Sequence, residues 1–260
     1  MKKLAIVLLL FSACASTKPA ALPCNPGLAL VNATAWLQTS AEYRALATQT
    51  YAVARNALDV VLATPLDKPP AVILDLDETA MLNLPFEARM VKQGKSYDPA
   101  AWSQWVSESA ATAVPGAAEF LAYARSRGVT PFYVTNRMAS EEAATRRNLE
   151  TLGYPLDAKE DTILTRGERP EWSTADKTPR RDYVASRYRV LLLFGDDLND
   201  FVSALGMTGD QRFDLIRANR DKWGTSWFIL PNPAYGSWET TVAGSGTACE
   251  QLKRKIEALK

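Results

Sequence analysis

Asp75 and Asp77 stand two residues apart in Ile73-Leu74-Asp75-Leu76-Asp77-Glu78-Thr79, directly after the apolar run Ala71 to Leu74. Side chains alternate along a strand, so both carboxylates face one way where a buried strand emerges, the end at which open α/β sheets bind ligands. Two neighbouring anions repel; a cation between them removes the repulsion, and a proton on one makes a general acid. An isolated Asp-x-Asp also reads as a solvated turn, so the pair needs support from the rest of the chain. Phe132-Tyr133-Val134 is a second apolar run, ending at Thr135-Asn136-Arg137. These supply a hydroxyl, an amide and a cation suited to phosphate oxygens. Val190 to Phe194 is a third, ending at Gly195-Asp196-Asp197-Leu198-Asn199-Asp200, and between the two lies Asp176-Lys177-Thr178-Pro179. Carboxylates, donors, a lysine and further carboxylates thus follow one another at strand ends.

This order resembles the four motifs of the haloacid dehalogenase superfamily of phosphotransferases. Within it, the chain is similar to the bacterial class C, or DDDD, nonspecific acid phosphatases of the lipoprotein type, through Asp75 to Thr79, Val134 to Arg137, and Asp196 with Asp200. Leu230 to Glu239 and the pair Trp102 and Trp105 also look like that group. The resemblance covers roughly residues 70 to 240. It implies hydrolysis of phosphate monoesters, with Asp75 as nucleophile forming an aspartyl phosphate and Asp77 as acid and then base. Lys177 would counter the charge of nucleophile and phosphate, while Thr135 and the Asn136 backbone amide would hold phosphate oxygens. Mg2+, which prefers hard oxygen ligands, would be bound by the Asp75 carboxylate, the Asp77 backbone carbonyl and Asp196, with Asp200 close by. Asp197 is read either as a surface acid or as a site residue.

In that family an aromatic of the cap and a tyrosine after the last strand sandwich the leaving group, and by position those are Trp102 and Tyr235. Cap tryptophans are otherwise a small hydrophobic core, the reading given to Trp105 and Trp238. The implied substrates are nucleoside monophosphates, as in 5'-nucleotidases, phosphotyrosine and aryl phosphates; the implied assembly is a homodimer. Two alternatives stand beside this. One is a phosphoprotein phosphatase, because Asp-Leu-Asp-Glu-Thr also occurs in eukaryotic polymerase-tail phosphatases. The other is a non-enzymatic surface or storage protein on the same fold, which would be expected to lack the nucleophile.

Positioning these groups requires an α/β fold with a doubly wound parallel sheet, a small inserted cap and an N-terminal helical region. Short apolar runs begin at Ala71, Pro131, Thr162, Val190 and Trp227, alternating with helical segments from Ala117, Ser140 and Pro179. The haloacid dehalogenase-like core is placed at 67–260, with the cap at about 80–114, where Pro85, Gly94, Pro99 and two tryptophans intervene. Residues 29–66 form the N-terminal helical region. There Thr39-Ser40-Ala41-Glu42 reads as a capping box, and Tyr43, Ala47, Tyr51, Ala54, Leu58 and Val61 recur at helical spacing. That face is a core stripe or a ligand-binding one.

Residues 1–13 read as a signal peptide: Met1-Lys2-Lys3, the apolar Leu4 to Phe11, and Ser12-Ala13 ahead of Cys14. The pattern resembles a lipoprotein signal, with lipid on Cys14 anchoring the chain to the outer membrane or its periplasmic face. An ordinary secretory peptide leading to a soluble periplasmic or secreted protein is the alternative. Residues 14–28 read as a tether, Lys18 to Gly27 being too rich in Pro and Ala to pack. Among 260 residues, 30 are basic, 29 acidic and none is histidine. This excludes phosphohistidine chemistry and argues against binding a nucleic-acid polymer through bulk charge. An oxidising compartment would permit Cys24 and Cys249 to pair, although sequence does not show whether they approach.

Overall fold

The computed structural model describes residues 24–260; the expected signal peptide and the expected lipidation site Cys14 lie outside them. A single 3-10 turn at Pro26–Leu30 leads into α1 (Val31–Thr39) and α2 (Ala41–Leu62). Ser40, in extended backbone, caps α2 by accepting from Tyr43 N at 3.1 Å. The capping box expected from Thr39 to Glu42 does not form: the N-cap is Ser40, the residue three after it is Tyr43 and has no carboxylate to bond back, and the Thr39 hydroxyl closes on Ala35 O at 2.7 Å within α1. Tyr43, Ala47, Tyr51, Ala54 and Leu58 are all buried, as one face of a 3.6-residue period must be. The tyrosine stripe is core. Tyr51 stacks on Phe194 and donates to Thr79 O at 2.8 Å, which fastens α2 to the first motif.

The remaining elements are β1 (Pro70–Leu74), β2 (Met81–Leu82), α3 (Leu84–Lys92), α4 (Pro99–Glu108), β3 (Thr112–Ala113), α5 (Ala117–Ser126) and β4 (Thr130–Met138). After these come α6 (Glu142–Thr151), β5 (Ile163–Arg166), α7 (Thr178–Arg187), β6 (Arg189–Gly195), α8 (Gly209–Ala218), β7 (Trp227–Ile229), α9 (Ser237–Ala243) and α10 (Ala248–Glu257). Five strands form a parallel sheet in the order β5-β4-β1-β6-β7. The chain moves outward from β1 through β4 to β5 and then returns to the other side of β1. The β1/β6 boundary is thus the topological switch point, where such sheets bind ligands at their carboxyl ends.

Both faces of the sheet are covered, so its strands read as continuous apolar runs. Val72 and Leu74 point into the larger core with α2 and α5, while Ala71 and Ile73 meet Trp172 and Val184 of the opposite layer. Between β1 and α5, the antiparallel pair β2 and β3 brackets α3 and α4, forming the inserted cap.

The described end of the expected tether is packed. Gly27 is buried, and a Cβ there would lie 3.0 Å from Gly94 Cα and Val91 O, so the missing side chain is what lets the turn close on the end of α3. Cys24 is disulfide-bonded to Cys249 of α10, their Cα atoms 5.9 Å apart. Among the described residues no helix is long and apolar enough to cross a membrane.

Candidate active site

Asp75 extends β1 by one residue, its N–H bonded to Phe194 O of β6 at 3.0 Å. Its buried carboxylate receives the Lys177 ammonium, which also donates to Asp200 at 2.6 Å. Burial alone would favour the neutral amine, but the flanking carboxylates of Asp200 and Asp75 outweigh it and hold Lys177 charged. Asp196, just past β6, accepts from Thr79 Oγ1 at 3.0 Å and from Asn232 Nδ2 at 2.8 Å. Oxygens of Asp75, Asp196 and Asp200 lie within 4.8 Å of one another. Burial pushes the Asp75 carboxyl up despite Lys177, and burial with the charges of Asp75 and Asp200 pushes up Asp196.

Three carboxylates against one ammonium leave two negative charges uncompensated. All the donor atoms are hard oxygens, so the chemistry and charge of the set fit a divalent cation of the magnesium kind. Asp77 is absent from this cluster. Its carboxylate lies instead on Arg137, with Nη2 at 2.7 Å and Nε at 3.1 Å, and receives Asn83 Nδ2 at 2.9 Å. The two aspartates, two residues apart in sequence, therefore have different hydrogen-bond partners.

Asn83 carries no motif in the sequence. It is fully buried and central to that second setting, donating to Asp77 and Glu78 and accepting from Trp105 Nε1 at 2.8 Å. Trp105 is a cap-core residue as expected, with its one polar atom tied to Asn83. Arg137, expected among the phosphate donors, is instead buried and turned onto Asp77, Asn83 and Thr145. Thr135 is also fully buried, its Oγ1 accepting from Arg137 N at 3.1 Å, whereas Asn136 is exposed at the cavity.

Two arginines of α7 set the loops, and no motif announced them. Arg180 is completely buried and donates to Thr135 O and to Asn136 Oδ1, the latter at 2.7 Å. Arg181 donates to Asn199 O at 2.8 Å and Asp200 O at 3.2 Å. The only cue was their place, three and four residues after Lys177 on the same helical turn. Gly195 is required by proximity: a Cβ there would fall 2.2 Å from Asp200 Cβ.

Asp197 lies outside the carboxylate cluster but lines the same cavity. It accepts from Asn199 N at 2.9 Å, Ser237 N at 2.6 Å and Ser237 Oγ at 2.7 Å, joining the loop after β6 to the start of α9. Burial opposes its charge, but these bonds hold its carboxyl below the usual range. Trp238, expected in a core, is more than a third exposed and donates to Tyr235 O at 3.2 Å; a Cβ on Gly236 would come 2.8 Å from its ring.

A cavity of about 580 Å3 opens over the carboxylates, lined also by Asn136, Trp102 and Tyr235. Trp102 is half-buried, edge-on to Phe86 at 5.2 Å. Tyr235 donates its hydroxyl to Glu78, a buried carboxyl pushed well up by burial and the neighbouring Asp77. Glu78 has a φ of 58°, a conformation costly for a side-chain-bearing residue. Asn83 N–H at 2.7 Å on its carboxylate helps to hold it there.

A family model described as HAD superfamily, subfamily IIIB (acid phosphatase) matches residues 17–238. The class C acid phosphatase from Bacillus anthracis is similar in structure at a TM-score of 0.84 and 34% identity, covering 91% of this chain and 98% of that one. The crystal structure of that enzyme with tungstate bound matches at a TM-score of 0.83 and 34% identity, over 90% and 98% of the two chains.

Proposed function

The chain belongs to subfamily IIIB of the haloacid dehalogenase superfamily, the acid phosphatases, and is a phosphomonoesterase; on that premise we propose an exported, Mg2+-dependent enzyme acting through an aspartyl phosphate on Asp75. The observation that carries the reading is the separation of the two aspartates: Asp75 joins Lys177, Asp200 and Asp196, while Asp77 is held apart by Arg137 and Asn83. Asp75, Asp196 and Asp200 would hold the cation. Bound there, it would neutralise carboxylate and phosphoryl charge.

Asp75 attacks phosphorus, Lys177 offsets the charge on nucleophile and phosphate, and the backbone N–H of Asn136 donates to a phosphoryl oxygen. Asp77 gives its proton to the leaving oxygen and then takes one from the water that releases phosphate. Arg137 fixes the orientation of its carboxyl group for both steps.

Trp102 and Tyr235, lining one cavity with Asp75, support flat leaving groups: nucleoside monophosphates, aryl phosphates and phosphotyrosine. The Cys24–Cys249 disulfide supports an oxidising compartment, hence export. Anchoring through lipid on Cys14 and homodimerisation complete the proposal; membrane fractionation of a Cys14→Ser variant and light scattering of the leaderless protein test them. The central test is p-nitrophenyl phosphate turnover. Release that needs Mg2+, stops with chelator and disappears in Asp75→Asn is expected; release unaffected by Asp75→Asn refutes the mechanism.

A further inference from the structure

Tyr235 is held at both ends. Its backbone N–H meets Asn232 Oδ1 at 3.4 Å, and the Nδ2 of that asparagine donates to Asp196 at 2.8 Å. At the other end the Tyr235 hydroxyl donates to Glu78, whose carboxyl also receives the Asn83 backbone N–H at 2.7 Å. Asn83 in turn donates to Asp77 at 2.9 Å. The ring therefore spans from the carboxylate cluster to the side chains that hold Asp77, and its open part lines the cavity together with Trp102. Glu78 is fully buried and is not part of that lining. Its φ of 58° persists only because the surroundings fix it. The groups that fix it are the Tyr235 hydroxyl, the Asn83 N–H and the Asn83 side chain, the last at 3.3 Å.

We propose that Glu78 is a positioning residue for leaving-group specificity: by accepting the Tyr235 hydroxyl it fixes the tyrosine ring as a wall of the cavity beside Asp77. The inference rests on the phosphomonoesterase reading of the site and deepens it. Proton transfer places the leaving oxygen at Asp77, and the Tyr235 hydroxyl ends on the residue that follows Asp77 in the chain. A flat leaving group therefore meets the ring while its oxygen bonds to Asp77. A tyrosine free to turn would lose rotamer freedom at every binding event, whereas one already fixed does not. A substrate without a ring gains nothing from this wall. Glu78 thus acts through Tyr235 and touches neither substrate nor the reacting atoms.

The test compares phenyl phosphate with glycerol 1-phosphate, which lacks a ring, on the magnesium-loaded protein. Tyr235→Phe keeps the ring and removes only the hydroxyl. The ratio of kcat/KM for phenyl phosphate over that for glycerol 1-phosphate is expected to fall about tenfold, the change lying in the KM for phenyl phosphate. Glu78→Leu is expected to lower the same ratio equally, and to lower it no further in the Tyr235→Phe background. Glu78→Gln, whose amide still bonds to the hydroxyl, is expected to keep most of the ratio. An unchanged ratio in Tyr235→Phe overturns the proposal whether or not the Glu78 variants fold; both substrates slowing together is what a merely structural bond predicts. A further tenfold fall when Glu78→Leu is added to Tyr235→Phe, in protein whose circular dichroism is unchanged, also overturns it, because the two side chains then act separately. Failure of the wild type to hydrolyse either substrate overturns the phosphomonoesterase reading, and this inference with it.

Discussion

Arg137 contacts the Asp77 carboxylate through Nε and Nη2, and Asn83 adds a third donor, so this side chain has a fixed orientation before any substrate arrives. None of the three donors touches the Asp75, Asp196 and Asp200 cluster. Asp77→Asn preserves the shape but removes the transferable proton. Turnover is therefore expected to fall by about 10²-fold or more, while Mg2+ affinity by calorimetry changes little. A parallel loss of metal affinity would show that the carboxylate itself is a ligand. Asn83 makes a different prediction. Asn83→Ala strands the buried Trp105 N–H and removes the side-chain donor from Asp77 and Glu78, while the backbone bond to Glu78 stays, so urea unfolding is expected to show a loss of about 1–3 kcal/mol per stranded group.

Elements at the carboxyl edge of the sheet place the chemistry, and the turn after β6 has the least freedom. Because a Cβ on Gly195 would overlap Asp200, Gly195→Ala must push Asp200 away from Lys177. A displacement of about 1 Å at reacting groups costs about 10²-fold, and that loss of turnover with near-normal far-ultraviolet circular dichroism is the expected result. Normal turnover would show that the loop yields elsewhere. What was legible here follows from physics. The core strands showed as apolar runs because both faces of the sheet are covered, and the carboxylates and lysine showed because they sit where those runs stop. Arg180 and Arg181 did not show, since side chains that donate to backbone carbonyls of distant loops leave no periodicity. Helices α8 and α10 went unread although Thr208 with Gln211 and Thr247 with Glu250 form capping boxes, a signal that was readable. Arg137 is misplaced by sequence because residue type alone does not say whether a guanidinium faces a ligand or a carboxylate.

Across the whole molecule, the Cys24–Cys249 bond joins the start of the described chain to α10, 225 positions apart in sequence. Closing so long a loop restricts the unfolded chain strongly, and Cys24→Ser with Cys249→Ser is expected to cost about 2–4 kcal/mol in urea unfolding. An unchanged midpoint would show that the terminal packing suffices. The pH dependence of stability offers a second global test. Burial, with the neighbouring Glu239, gives Glu87 a folded value of about 7 against an ordinary 4.5. A raised carboxyl favours the folded state below the unfolded value, where both states hold the proton, and that advantage is lost as pH rises from about 4.5 to about 7. At about 1.4 kcal/mol for each pH unit between the folded and unfolded values, the full loss approaches about 3 kcal/mol. Asp75, Asp196 and Glu78 are raised as well, so only comparison of wild type with Glu87→Gln isolates this group. Urea unfolding of the metal-free proteins should give similar stabilities near about pH 4.5, with Glu87→Gln becoming the more stable as pH rises to about 7.5. A difference between them that does not vary with pH would mean that Glu87 finds a partner in solution and ionises as an ordinary glutamate.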